Sequence, residues 1–473
     1  WRVRAMFDQV IGAIFSAAFL ASILRVTTPI LLPSMGALLS SAAGVINIGL
    51  EGMMLAAAFT GVAVSAYASN WFGPEIGLQY GPWLGMAAGV LVALLLALLL
   101  GFFHLRLRTN LVLTGIAINI LGSAATVAVM FELTGDRGNT STLASLRMPF
   151  IQLPAFINDI PLIGPFFFDV FNNQNVMTWI AFISVFVVAY VMYRTSFGMH
   201  LRAVGENPSA AESVGINVKR TQYYALAISG VFAGLGGVAM SMGFLSLFQR
   251  DMTAGRGFIA LATPLLGGGT PIGTMFASLV FGFFDAFSIR IGTLAIPAEM
   301  PQMIPYVATV MALVIYALNG QQTRRVRALR AAEGEGFDSG FWRAIQRLSV
   351  LHVVLAMVAI IGIMVAICLF AAPNGFGGVE VAYPIAITMT AISAILIAVE
   401  LPFIRRVDLI QRQTVTSAVV CSLSLAVYLS LLLSLFFEAL IAIGLALVLG
   451  AVIWMVLGGW SLLQSRQMVQ AAT

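Results

Sequence analysis

An all-α, polytopic membrane fold is what this sequence predicts, on three observations. Hydrophobic residues make up 60% of the 473 and charged residues only 9%. Mean hydropathy is +0.99. The apolar runs are long and unbroken, as in Val90–Phe103 and Leu440–Gly459. Soluble domains carry about 25% charged residues, so a chain this poor in charge cannot cover a solvated surface. Lipid offers no hydrogen-bond partner to an open strand edge, which leaves the helix. A barrel would show short alternating segments instead.

About 20 residues cross a bilayer as helix. Ten spans are expected near 9–24, 28–43, 52–68, 82–103, 110–132, 175–193, 222–246, 258–270, 273–290 and 302–318. Four more fall near 348–371, 381–400, 414–436 and 438–460. The 258–270 run is too short to cross upright and reads as tilted or re-entrant. Arginine placement sets the orientation. His104–Arg108, the loop Arg194–Arg220, the run Arg324–Arg330, and Arg405, Arg406, Arg412 and Arg466 are assigned to the cytoplasm. Alternating spans then put both termini inside.

The connection Glu132–Val176 falls outside. It holds few charges and the prolines Pro149, Pro154, Pro161 and Pro165, so it is expected to be ordered against the membrane surface. Long loops in compact proteins are usually functional; this one reads as a docking surface for an external binding protein or as a cover over the spans. A composition break at Gln321–Arg347 mixes six arginines with acidic residues and glycines. It marks 323–347 as a cytoplasmic linker between a unit at 1–322 and an accessory four-helix region at 348–473, for which no role is read.

Several classes are disfavoured. The net charge of +5 lies in inter-span arginines without interleaved aromatics, so nucleic acid is not an expected partner; the lipid bilayer is. Cys368 and Cys421 sit inside apolar runs, where cysteine is ordinary packing. His104, His200 and His352 are scattered, and no metal site follows. A phosphate-binding loop needs a lysine after its glycines. Lys219, the only lysine, follows Gly215-Ile-Asn-Val and is in the wrong context. ATP hydrolysis by that route is excluded, and no catalytic residues or cofactor are expected in the chain.

The polar segment Phe197–Ile216 stands out between two apolar spans. Within it, Asn207 suits a helix N-cap, Pro208 the first helical position, and Gly215 a left-handed stop. So short a helix is marginal in water on its own, which points to docking, against a partner or beneath its own spans.

That loop resembles the coupling helix of permease subunits in ATP-binding-cassette importers, in the branch serving ribose and nucleosides. Further stretches match the branch in order: Ser40–Leu55, Thr114–Asn119, Gly255–Ala262, Pro271–Gly273 and Ile304–Tyr306. The likeness covers about residues 1–322. Two departures are visible: Leu111 stands where relatives usually carry an acidic residue, and Leu265–Gly269 is less bulky than is common there.

The resemblance implies alternating access, driven by separate ABC ATPase subunits that bind the ATP and magnesium. It also implies an extracytoplasmic solute-binding protein, and a second permease subunit, either a related chain or a second copy. The contact to the ATPase falls on Gly205, Glu206, Asn207, Pro208, Ala210, Ala211, Glu212 and Gly215.

For the solute pathway the candidates are Asn47, Glu51 and Asn119, polar residues within apolar runs. An ionisable group at such depth is a functional candidate by default. Glu51 suits ribose hydroxyls or a base edge equally with a neighbouring helix end that holds a broken span together. Asn119 suits the solute or an interhelical hydrogen bond. Gly230, Gly234, Gly236 and Gly237 give the small-residue spacing of tight helix contact, within the chain or at a subunit interface. Asp285 and Arg290 read as a pair or as head-group contacts. The competing class is an ion-coupled secondary transporter of a small polar solute, with Glu51 as its coupling carboxylate. A membrane enzyme would need a nucleophile–base pair or a carboxylate–histidine cluster, and none is evident.

Overall fold

A computed structural model describes residues 17–143, 145–154 and 164–291. Contacts divide the chain into two units, residues 11–287 and residues 1–10 with 288–473; the bundle below belongs to the first. The expected span at 302–318, the linker 323–347 and the four-helix region 348–473 lie outside the described residues.

Seven helices among the described residues are long and apolar enough to cross a membrane. In chain order the elements are α1 (Ala17–Ala42), α2 (Leu50–Phe72), α3 (Pro74–Gly101, continued by a π-turn over Phe102–Arg106) and α4 (Leu111–Thr134). Then come β1 (Phe150–Ile151), α5 (Gly164–Phe171), β2 (Gln174–Asn175) and α6 (Val176–Arg194). After them follow α7 (Ser196–Glu206), α8 (Pro208–Ser213), α9 (Val218–Val238, with a π-turn over Ala239–Phe244), α10 (Arg256–Leu266) and α11 (Pro271–Ile291).

One expected break is absent. The expected spans at 9–24 and 28–43 leave a break at 25–27, where Arg25 and Thr27 lie, yet α1 runs through it as one 26-residue helix containing Pro29 and Pro33. Arg25 and Thr28 find partners within the bundle, whereas the buried Thr27 hydroxyl has none among the described residues. Arg25 Nε donates to Gln174 Oε1 at 3.2 Å, and Thr28 Oγ1 donates to the Leu24 carbonyl at 2.9 Å. A neighbouring element (Gln174) and the helix's own backbone thus satisfy Arg25 and Thr28 where the sequence presents an interruption. By contrast, the short 258–270 run holds only the 11-residue helix α10.

α9 forms the centre, and its glycines determine how. A side chain at Gly230 or Gly234 would collide with Ala97 and Val90 of α3, at Gly236 with Pro33 of α1, and at Gly237 with the Met54 carbonyl of α2. The small-residue stripe therefore serves packing inside this chain, against three different helices. Met35, Leu38, Met53, Met54, Met242 and Phe248 fill the core around it. The opposite case is α4, whose Leu113, Ile116, Ile120 and Val129 are exposed; that face is built for lipid or another subunit.

The two ends of the bundle differ. At one lie the described parts of the 135–175 connection: β1 pairs antiparallel with β2, and Met148 N donates to the Met242 carbonyl at 2.8 Å. At the other lie α7 and α8. Gly101, beside His104–Arg108, packs on Tyr223, near the start of α9. Two of the basic segments assigned to the cytoplasm thus share one end.

Candidate functional site

Two interruptions of helix meet in the middle of the bundle. The first is residues 43–49 between α1 and α2. Ser229 of α9 faces Asn47, and Gly237 packs on Met54. Residues 47–54 therefore run beside 229–237, the central part of the 27-residue span Val218–Phe244. The second interruption is residues 245–255, non-helical before α10 begins at Arg256.

Glu51 joins them. It is buried in the first turn of α2, and its carboxyl group accepts three hydrogen bonds from the start of α10. Thr253 Oγ1 and Gly255 N donate to Oε1 at 2.6 and 2.8 Å, and Gly257 N donates to Oε2 at 2.7 Å. The opening turn of a helix has amides without intrahelical partners and a positive dipole end. α10 has no side-chain cap of its own at Gly255; Glu51 supplies that role from across the fold. Glu51 thus bonds a neighbouring helix end.

The asparagines work alongside. Asn47 Oδ1 accepts from Gly49 N at 3.2 Å, while Nδ2 donates to Ser229 Oγ at 3.0 Å. Asn119 of α4 accepts from Gly52 N and donates to the Ile48 carbonyl, both at 2.9 Å. Gly52 lies so close to α4 that a side chain there would strike Ile118 and Asn119. Asn47, Glu51 and Asn119 are therefore brought together and jointly hold the start of α2.

Sequence reasoning missed Arg256. Its Nη2 and Nε donate to Asp285 Oδ2 at 2.7 and 3.0 Å, tying α10 to α11, and both side chains are largely buried. Asp285 thus has Arg256 as its partner; the Arg290 side chain is outside the described set. Charge balance was an available signal. A lone cation and a lone carboxylate in separate apolar runs each need a counter-charge, and Arg256 and Asp285 are such a pair.

The second predicted set stands apart, at the α7–α8 end. Asn207 takes the N-cap of α8, its side chain accepting from Ala210 N at 3.1 Å, with Pro208 as the first helical residue. Gly215 has φ of +87°. Gly215 N donates to the Glu212 carbonyl and Ile216 N to the Ala211 carbonyl, both at 3.0 Å, the bonding pattern of a left-handed helix stop. Ala211 is buried, while Gly205, Glu206, Asn207, Pro208, Ala210, Glu212 and Gly215 are exposed. α7 beneath is anchored by Gly198, Leu201 and Val204. Its penultimate residue, Gly205, abuts the last turn of α1, where a side chain would collide with the Ala42 carbonyl.

Interrupted spans that meet at mid-depth in a multi-pass helical protein are the arrangement found in solute transporters. The chain is more particularly a member of the family of permease components of branched-chain amino acid transport systems, which matches residues 19–318. Among similar proteins, a guanosine ABC transporter permease of Bacillus subtilis is 36% identical over 292 residues, 60% of this chain and 87% of that protein. A nucleoside ABC transporter permease of Lactococcus lactis is 31% identical over 302 residues, 63% of this chain and 91% of that protein. A glucose ABC transporter permease of Haloferax volcanii is 24% identical over 323 residues, 68% and 81% of the two chains. No solved structure matches. This membership makes the chain a transport component, for which an ABC ATPase and a binding protein are the family's partners, and it disfavours the ion-coupled alternative.

Proposed function

We propose that this chain imports a nucleoside or ribose-like sugar across the cytoplasmic membrane by alternating access, with its α7–α8 end in the cytoplasm. ATP and magnesium sit on partner ATPase subunits that press on α8. A second permease chain, related or identical, completes the pathway, and an external binding protein delivers solute to the end bearing the 135–175 connection. The names of the guanosine and nucleoside relatives support the substrate class. In this orientation the Ala17 end of α1 lies outside, so the cytoplasmic N-terminus read from alternating spans no longer follows from the count.

One observation carries the reading: the contact of Gly205 with the end of α1. A load on the exposed face of α8 passes through α7 to Ala42–Gly44, where the helix gives way to residues 43–49. That interruption leads into Asn47 and Glu51, and through Glu51 to α10. Displacement at the membrane surface thereby reaches the mid-depth junction without crossing any flexible segment longer than seven residues.

The test is a double substitution, Glu206→Ala with Glu212→Ala, in the complex reconstituted with its ATPase and binding protein. Both side chains are exposed, so thermal stability is expected to hold within about 0.5 kcal/mol while ATP-driven uptake falls. Uptake that persists in the double variant, or that collapses with an ionophore and ignores ATP, would sink the proposal.

A further inference from the structure

Ser123 is the thirteenth residue counted from Leu111 in the 24-residue helix α4, and so lies at its middle. Its Oγ donates to Asp251 Oδ1 at 3.0 Å. Asp251 is paired with its neighbour Arg250, whose Nε is 3.4 Å from Oδ2, and the two side chains are 59% and 57% exposed for Arg250 and Asp251. The charged groups nearby behave differently: Glu51 is buried against three donors, and Arg256 and Asp285 are largely buried against each other.

Lipid does not tolerate an exposed carboxylate and guanidinium at that depth; such groups face water or protein. Asp251 is also held in a left-handed backbone, φ +53°, and Ala254 follows at +43°. Residues in such conformations persist only where surrounding contacts enforce them. Here the bonds from Thr253 and Gly255 to Glu51 do so. The segment is thus pinned from behind while its carboxylate stays open in front.

We propose that Asp251 is a solute-recognition residue of the translocation pathway, its carboxylate accepting the vicinal hydroxyls of a nucleoside or pentose. The inference rests on the import reading above. Carboxylates are the usual partners of ribose hydroxyls in nucleotide sites, and the Oδ2 side of Asp251 has only the exposed Arg250 as a described partner. Ser123 fixes the other oxygen.

The experiment uses the permease–ATPase complex without its binding protein, carrying Ser123→Cys with Cys368 and Cys421, the two native cysteines, replaced by Ala. A water-soluble thiol reagent is expected to label the residue at 123. A ribonucleoside should slow labelling about tenfold, the equivalent of one hydrogen bond to a charged group. Its dideoxy analogue should not. Adding Asp251→Asn should remove the protection, each rate being read against the same variant without solute. A position that never labels, equal protection by both analogues, or protection that survives Asp251→Asn would each overturn the proposal. Uptake by the wild-type complex with its binding protein is read separately. If neither nucleoside nor pentose enters, the import reading fails on that result alone.

Discussion

The two short helices α8 and α10 each begin with a cap, and the caps are made in opposite ways. α8 is capped by Asn207, which reaches an amide three residues along the chain at an exposed surface. α10 is capped by Glu51, which reaches Thr253, Gly255 and Gly257 across 202 to 206 residues in the core. A local cap forms with the helix itself, between residues three positions apart. A remote cap exists only once α2, α9 and α10 have assembled, and it makes the start of α10 depend on the position of α2. The surface element is therefore a locally capped lever, and the buried one a joint.

Breaking the joint should have the largest effect. Glu51→Ala strands three donors, of which Thr253 is fully buried. At about 1–3 kcal/mol for each buried unsatisfied group, the folded complex should be recovered from detergent in much lower yield. Glu51→Gln keeps one acceptor oxygen and should fall between; equal thermal stability of the wild type and Glu51→Ala would show that α10 does not depend on this cap.

Next comes the second tie on α10. Arg256→Ala leaves Asp285 without its partner and should cost about 3 kcal/mol, the range for breaking a buried pair. The double variant Arg256→Ala with Asp285→Ala should regain part of that loss. A double-mutant cycle on thermal unfolding in detergent measures the coupling; additive losses would mean the pair contributes nothing.

The surface lever should respond more weakly and only locally. Asn207→Ala removes one exposed cap, worth about 1 kcal/mol. Amide exchange should quicken over residues 208–213 while exchange over 256–266 is unchanged. Gly215→Ala forces a side chain into the left-handed region at about 1–2 kcal/mol and should loosen the same segment. Faster exchange at α10 in either variant would contradict the separation of lever from joint.

Much of this was legible in the sequence because it is local. Asn207, Pro208 and Gly215 announce α8 within nine positions, since capping and backbone preference act between near neighbours. Asn47, Glu51 and Asn119 were legible as polar groups in apolar runs, but not as a cluster. Arg25 and Thr28 misled for the same reason: their partners Gln174 and Thr178 lie 149 and 150 residues away.

By itself the sequence determined the helical membrane class, most span positions among the described residues and the capped surface helix. These follow from hydropathy and from interactions that span a turn or two. Only the tertiary structure decided that α1 is continuous, that the glycines of α9 face three helices of this chain, and that Glu51 closes the end of α10. Each depends on which segments become neighbours, and in a bundle of similarly apolar helices that is set by packing shape and by pairing of the few polar groups, neither of which is written along the chain.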